Sequence, residues 1–387
     1  MSRRILGLLT AVVMLSAACS TEAGSRPRVD AEVDAEVEVV GASALDDPRH
    51  PGFPEPLIDP DHLFSGGPPP DGIPPIDDPK FEPVSDVDWL EGNEPVLSLT
   101  VADETRAYPL QVMAWHEIVN DTVGGVPVAV TFCPLCNSGV AFERRVEDRL
   151  LDFGTSGLLY VDNLVMYDRQ TESLWPQLTG RASVGVLTGT RLESIPMGIV
   201  GWKQFRESHP EAMVLTRDTG FVRDYGSNPY VWRDDDPNGD LFADPPGGTD
   251  RRLPVKERIV GIMVNGQSVA VRRSHIVERR LVELTVGGRD LVVWHRSGQA
   301  SALDADGYHD GEEVGTVGVF RPLLDGRRLT FAVRAGRLID EQTGSAWNVL
   351  GEATSGQLTG SRLPAVVHLD TFWFVWVAFR PRTRVVE

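Results

Sequence analysis

The sequence predicts a β-rich α+β fold: two tandem, degenerate repeats of a mostly antiparallel β unit, each with one or two short helices, packed as one body. Three observations lead there. Residues 101–125 align without a gap with 264–288, and Thr122-Val123-Gly124-Gly125 is matched by Thr285-Val286-Gly287-Gly288. The match returns downstream, where the run from Asp168 to Trp175 pairs with that from Asp340 to Trp347, and Leu187 to Leu192 with Leu358 to Leu363. Within each copy, short apolar runs alternate with Gly-Gly and Asp/Asn turn signals, as strands and hairpins require.

In chain order, the first segment reads as a targeting signal. Arg3 and Arg4 precede an apolar run from Ile5 to Leu15, too short to span a bilayer comfortably, and Ser16-Ala17-Ala18 leads into Cys19. This resembles a bacterial lipoprotein signal over residues 1–19, with Cys19 lipidated. Ser16 stands where an aliphatic residue is usual, with Leu15 one place before it. An ordinary cleaved signal peptide is the alternative; both readings export the protein. Residues 20–50 are acidic and without period, and read as a disordered tether. Residues 51–93 are rich in Pro and Gly but carry Phe53, Leu57, Ile58, Leu63, Phe64, Ile73, Ile76 and Phe81, which predicts an extended segment lying across the domain surface.

The first repeat spans 94–216. Leu97 to Val101 reads as a strand, and Pro109 to Val119 has apolar residues at helical spacing. Gly124-Gly125 turns the chain into the strand Val126 to Phe132. Val140 to Asp152 reads as two short strands around Glu147-Asp148, and Leu158 to Tyr167 as one strand. Ile199 to Ser208 reads as a helix stopped at His209-Pro210. Residues 217–256 form an acidic, Pro/Gly-rich connection. The second repeat, 257–387, ends in an aromatic helix over Asp370 to Phe379.

The duplication serves as an internal control: features in both copies are scaffold, and features in one copy are candidates for function. Asp168, Gln170, Thr171, Ser173 and Trp175 recur as Asp340, Gln342, Thr343, Ser345 and Trp347, so they read as structural, with the short Asp and Thr bonding local backbone. The cysteines do not recur. Cys133 falls opposite Arg296, the Cys-Pro-Leu-Cys insert is missing near His295 to Gly298, and His116 falls opposite Arg279. The first copy is the active one on this reading, the second its degenerate partner.

Cys133 and Cys136 are two of only three cysteines in 387 residues. Their spacing admits three chemistries: a dithiol–disulfide couple, half of a four-ligand zinc or copper site completed by His116 and a further ligand, or a static disulfide bracing a loop. A two-residue loop closes little entropy, which weakens the static reading. A thioredoxin-type arrangement is disfavoured because Asn137-Ser138-Gly139 precedes a strand rather than a helix; successive backbone N–H groups in that turn offer another way to stabilise a thiolate. His116 is a proton donor or acceptor under the redox reading and a ligand under the metal reading. Gly154-Thr155-Ser156-Gly157 reads as a nearby loop, with Ser156, Asn163 and Gln177 as polar binding contacts. The alternating oxygens of Asp234 to Asp240 resemble a calcium loop, but Pro237 interrupts it and no closing glutamate follows, so an acidic connection is the better reading.

The stretches 71–81, 107–121 (A-Y-P-L-Q-V-M-A-W-H-E-I-V-N-D), 131–142 (T-F-C-P-L-C-N-S-G-V-A-F), 154–160 and 165–175 closely resemble the family catalogued as domain of unknown function 3179, over nearly all of the mature chain. Some members of that family are catalogued as selenoproteins with selenocysteine in the Cys-x-x-Cys-like motif. That resemblance implies redox chemistry at Cys133 and Cys136, since selenocysteine seldom serves as a structural ligand. A net charge of −19 repels nucleic acid and anionic lipid. The expectation is an exported protein, tethered to the bacterial cell membrane by lipid, with a thiol–disulfide or peroxide-type oxidoreductase site. It needs no cofactor under that reading, and it acts on a redox partner or a small-molecule substrate. Zinc or copper binding and a non-enzymatic surface-binding module are the alternatives.

Overall fold

A computed structural model describes residues 41–387. The signal segment, Cys19 and residues 20–40 of the expected tether lie outside the described residues. The chain is β-rich, with antiparallel sheets and, among the described residues, four short α-helices: α1 (Leu110–His116), α2 (Trp202–Ser208), α3 (Arg273–Arg279) and α4 (Trp373–Phe379).

Each half begins with a hairpin. Pro95–Val101 pairs with Glu104–Pro109 in the first, and Arg258–Val264 with Gln267–Arg272 in the second. Each hairpin gains an antiparallel strand on one edge (Met197–Gly201; His368–Phe372) and a parallel strand on the other (Met213–Leu215; Arg384–Val386). The hairpin then enters a helix, α1 or α3, which stops at a left-handed residue, Glu117 (φ 59°) or Arg280 (φ 61°). A second hairpin follows through Gly124-Gly125 or Gly287-Gly288. Only glycine fits the first place of each turn: φ is +56° at both, and a Cβ at Gly124 would sit 2.4 Å from Val101 O, one at Gly287 2.2 Å from Val264 O.

Several boundaries differ from the sequence expectation for local reasons. The helix expected from Pro109 to Val119 occupies only Leu110–His116, because the left-handed turn at Glu117 starts the strand Ile118–Val123. The strand expected over 158–167 is a hairpin, Phe153–Tyr160 with Asn163–Asp168, turned by Val161 and Asp162, both at positive φ. Residues 154–157 are not a loop: they lie in the strand Phe153–Tyr160, where pairing is irregular between Thr155 and Leu159. The helices expected from Ile199 and Asp370 begin at Trp202 and Trp373, after strands that complete the sheets. Residues 41–50, assigned to the tether, join the fold: Ala44 is buried with Val165, Leu174 and Val184. Residues 51–93 add short edge strands at two places, pairing Phe64-Ser65 with Leu158-Leu159 and Phe81–Pro83 with Met213–Leu215, and they bury Ile76, Val84, Val87 and Leu90. After Arg296 the second half carries a longer connection, 297–315, rather than lacking one.

The main core gathers Phe132, Phe142, Phe153 and Trp175 with Phe372, Trp373, Phe374 and Trp376. Aromatic residues of the second half are therefore buried together with Cys133 and Cys136; each large side chain contributes about 2–3 kcal/mol by burial. The recurrent Asp-Thr-Trp motif is structural in both halves. Asp168 accepts from Thr171 N (2.7 Å), Thr171 Oγ1 (2.9 Å) and Trp175 Nε1 (2.9 Å). Asp340 accepts from Thr343 N (2.7 Å), Thr343 Oγ1 (2.8 Å) and Trp347 Nε1 (3.0 Å). Replacing Asp168 with Ala orphans a buried indole N–H and a backbone N–H, and we expect a loss of about 3 kcal/mol in urea-induced unfolding. A loss under about 1 kcal/mol would contradict the structural assignment.

Candidate functional site

The site forms where two tight turns meet. The strand Val126–Cys133 runs into one 3₁₀ turn, Pro134–Cys136, closed by Asn137 at φ 52°. Proline suits the first position of such a turn because it has no N–H to satisfy, and asparagine tolerates the left-handed conformation. Pairing resumes at once, with Cys133 opposite Ser138. The turn folds Cys136 back until its Sγ lies 2.8 Å from Cys133 Sγ; both are free, buried thiols.

The second turn, Val161-Asp162, presents polar groups to both sulfurs. Asp162 O accepts from Cys136 Sγ (3.4 Å) and Cys133 Sγ (3.7 Å). Leu164 N–H donates to Cys133 Sγ (3.4 Å), and Asn163 Nδ2 donates to Cys136 Sγ (3.3 Å). These donors, rather than the N–H groups expected from 137–139, stand ready to stabilise a thiolate; Asn137 N–H is taken by Pro134 O (3.2 Å). Gln177 fixes the arrangement from behind. Its Oε1 accepts from Asn163 Nδ2 (3.0 Å) and Ser138 Oγ (2.9 Å), and its Nε2 donates to Thr131 Oγ1 and Ser138 O (both 3.0 Å). The second half adds Thr371 Oγ1, which donates to Cys136 O (2.8 Å), and Asp370 O, which accepts from Asn137 Nδ2 (3.3 Å).

The acidic connection contributes the remaining residues. Arg233 donates from Nε to Leu135 O (3.0 Å) and from Nη2 to Asp162 Oδ2 (2.7 Å), so one side chain ties the two turns together. Phe242 N–H donates to the same carboxylate (3.0 Å). Tyr230 OH donates to Glu117 Oε1 (3.0 Å). Glu117 is buried, and its carbonyl accepts the N–H of Phe132 (2.8 Å), the residue before Cys133. Burial pushes the Glu117 carboxyl up to about 7, opposed by the Tyr230 hydrogen bond. Burial, then Cys136, then the Glu117 charge hold the Cys133 thiol well above its usual range, with Leu164 N–H opposing. Burial and the Glu117 charge also raise the Tyr230 phenol strongly.

Of the residues expected from the sequence, the structure brings Cys133, Cys136, Asn163 and Gln177 together. Ser156 lies elsewhere: its hydroxyl donates to Val165 O (2.5 Å) and accepts from Leu158 N (3.0 Å), bracing the irregular strand. His116 turns to the acidic connection instead of the sulfurs. Its Nδ1 donates to Pro74 O (2.6 Å), which leaves Nε2 to accept from Tyr225 OH (2.6 Å) as a neutral imidazole, and burial lowers its pKa. Among the described residues no group of three or more His, Cys, Asp or Glu side chains is set to hold a metal ion. The Asp234 to Asp240 run holds no cation cage either: Asp234 pairs with Arg258, and Asp236 Oδ1 accepts Asn238 N (2.8 Å).

Sequence reasoning missed Glu117, Asp162, Tyr230 and Arg233. Glu117 carried a usable signal, since Arg280 holds the equivalent helix-ending position. Tyr230 and Arg233 lie in a connection without a counterpart, so the internal comparison could not rank them. Tyr230 also lines, with Trp115, Val222 and Pro229, a groove of about 520 Å³. Another cavity of about 270 Å³, between Met197–Gly201 and Thr316–Phe320, holds none of the site residues.

Glu117 makes stability depend on pH. Its folded pKa is above the unfolded value, so between about 4.5 and 7 the native state binds more protons than the unfolded chain, and stability is lost as pH rises through that window. Glu117→Gln removes this dependence and keeps an acceptor for Tyr230. We expect the variant to gain about 2 kcal/mol over the wild type between pH 5 and pH 8 in urea unfolding. Parallel stability profiles would show that Glu117 ionises normally.

No curated protein and no solved structure matches the chain. A family profile does, over residues 70–383, which takes in both turns, Glu117 and the whole acidic connection. On that match the chain belongs to the family described as protein of unknown function, DUF3179.

Proposed function

We propose that Cys133 and Cys136 form a thiol redox couple, in an exported protein tethered to the membrane through Cys19. The observation that carries this reading is the pair of free sulfurs 2.8 Å apart, each with its own hydrogen-bond donor, Leu164 N–H or Asn163 Nδ2. A disulfide S–S bond needs about 2.05 Å, so closing the bond takes a small movement within one turn. With a disulfide as oxidant, one protein sulfur attacks, forming a mixed disulfide and releasing the first thiol. The other sulfur then displaces the second. In sum, the dithiol and R–S–S–R give the protein disulfide and two R–SH, with two electrons and two protons passing to the partner.

The same reading takes the two halves as degenerate copies of one unit packed as one body. The matching sheet orders support this, as do the equivalent parallel pairs Met213 with Arg106 and Arg384 with Val269. The first copy carries the chemistry, and the second supplies α4 and the Asp370-Thr371 contacts. Export and lipidation rest on residues 1–19; among the described residues no helix is long and apolar enough to cross a membrane.

The test is intact mass and thiol alkylation of residues 41–387 across a glutathione redox titration. We expect a reversible, two-electron conversion between an alkylatable dithiol and a protected disulfide, and Cys136→Ser abolishes it. A disulfide that never re-forms its dithiol without unfolding indicates a bracing bond in a binding module. A stoichiometric metal that leaves only on unfolding indicates zinc or copper at the pair. Either result overturns the redox reading.

A further inference from the structure

We infer that Glu117 is the proton acceptor for the Cys133 thiol and that Tyr230, delivered by the acidic connection, is its positioning residue. This rests on the redox reading above and names the group that makes it run near neutral pH. A buried thiol surrounded by apolar side chains is a poor nucleophile, because the thiolate is the reacting species and burial disfavours it. Some group must take the proton as the sulfur attacks. His116, the residue that its type suggests, is committed to Pro74 and Tyr225 and keeps its proton on Nδ1. Glu117 is the alternative that the fold supplies. It follows α1 directly, its carbonyl is bonded to Phe132 N–H beside Cys133, and its side chain is buried. The one side-chain hydrogen bond it accepts among the described residues comes from Tyr230.

Three further observations point the same way. The left-handed position that holds Glu117 exists in both halves, so the backbone there is scaffold; the carboxylate exists only in the half with the cysteines, with Arg280 in the other. Tyr230 and Arg233 stand three residues apart in the acidic connection, one bonded to Glu117 Oε1 (3.0 Å) and the other to Leu135 O (3.0 Å), so the carboxyl and the cysteine turn share one support. Tyr230 also lines the groove shared with Trp115 and Val222, so the hydrogen-bond partner of the buried carboxyl borders open space. Cys133 Sγ attacks a sulfur of the oxidant disulfide while its proton passes to the Glu117 carboxylate. The leaving thiolate then takes that proton, and the carboxylate is restored for the attack by Cys136. A base that ionises near 7 is suited to this task, since it is deprotonated at working pH and still accepts a proton readily.

The experiment follows the reduced protein with 2-hydroxyethyl disulfide, reading mixed-disulfide and disulfide formation by mass. Rates are taken where they are linear in reagent, so that any opening of the site enters as a fast equilibrium. For the wild type, the second-order rate constant rises through an apparent pKa near 7 and then levels. Glu117→Gln loses that inflection and reacts about a hundredfold more slowly at pH 8. Tyr230→Phe keeps the plateau but moves the inflection upward, because the carboxylate loses the hydrogen bond that favours its ionised form. A purely repulsive neighbour predicts the opposite sign: Glu117→Gln would react faster, and that result overturns the proposal. A wild-type rate without an inflection near 7 overturns it too. Failure of the redox reading looks different, as a mixed disulfide that forms with a normal pH profile and is never resolved by Cys136.

Discussion

A primary amide buried away from water has four hydrogen-bonding positions to fill, and the dithiol depends on Gln177 filling all of them. Its oxygen takes the Asn163 and Ser138 side chains; its nitrogen gives to Thr131 and to the Ser138 carbonyl. Those partners lie on the strand that ends in Cys133, on the strand that leaves Cys136, and on the hairpin that bears the sulfur-binding groups. An unsatisfied polar group here costs about 1–3 kcal/mol, so the network holds three strands in one relation to each other. The same relation points Asn163 at Cys136 and Leu164 N–H at Cys133.

Around that point the two halves divide their work. Both use the same hairpin, left-handed helix end and Asp-Thr-Trp brace, and these are backbone solutions that any side-chain chemistry can inherit. They diverge at the ends of their second hairpins. One closes through Cys-Pro-Leu-Cys; the other opens into the longer connection 297–315, which meets the acidic connection where Leu303 O accepts Arg233 N–H (2.8 Å) and Asp306 O accepts Asn228 N–H (2.9 Å). The second half thus supports the segment that carries Tyr230 and Arg233.

Burial sets the character of the site. It holds the Cys133 thiol well above its usual range and raises the Glu117 carboxyl to about 7, so near and above neutral pH the thiol keeps its proton while the carboxyl can give its proton up. Leu164 N–H and Asn163 Nδ2 are neutral donors to the sulfurs, so they favour a thiolate without placing a permanent charge beside it. Arg233 bridges Leu135 O and Asp162, which couples the order of the acidic connection to the geometry of the sulfurs.

Alternation, Gly-Gly turns and a short Cys spacing are local patterns, so the β-rich α+β class and the cysteine pair were legible in the chain, and the longer motifs carried the family. It also named Asn163 and Gln177 as polar contacts, which the fold gathers with the cysteines, and it read the recurrent Asp168 and Asp340 motifs as bonding their local backbone, as they do. It read 154–157 as a loop and His116 as the partner of the sulfurs, since residue type says nothing about which neighbour a side chain meets. Only the packed chain shows that His116 meets Tyr225, that the Glu117 carbonyl takes the N–H of Phe132 next to Cys133, and that Tyr230 and Arg233 reach Glu117 and the cysteine turn. Those contacts join segments far apart in the chain, and hydrogen bonds between buried polar groups form only once packing has excluded water and left each group a single partner to choose.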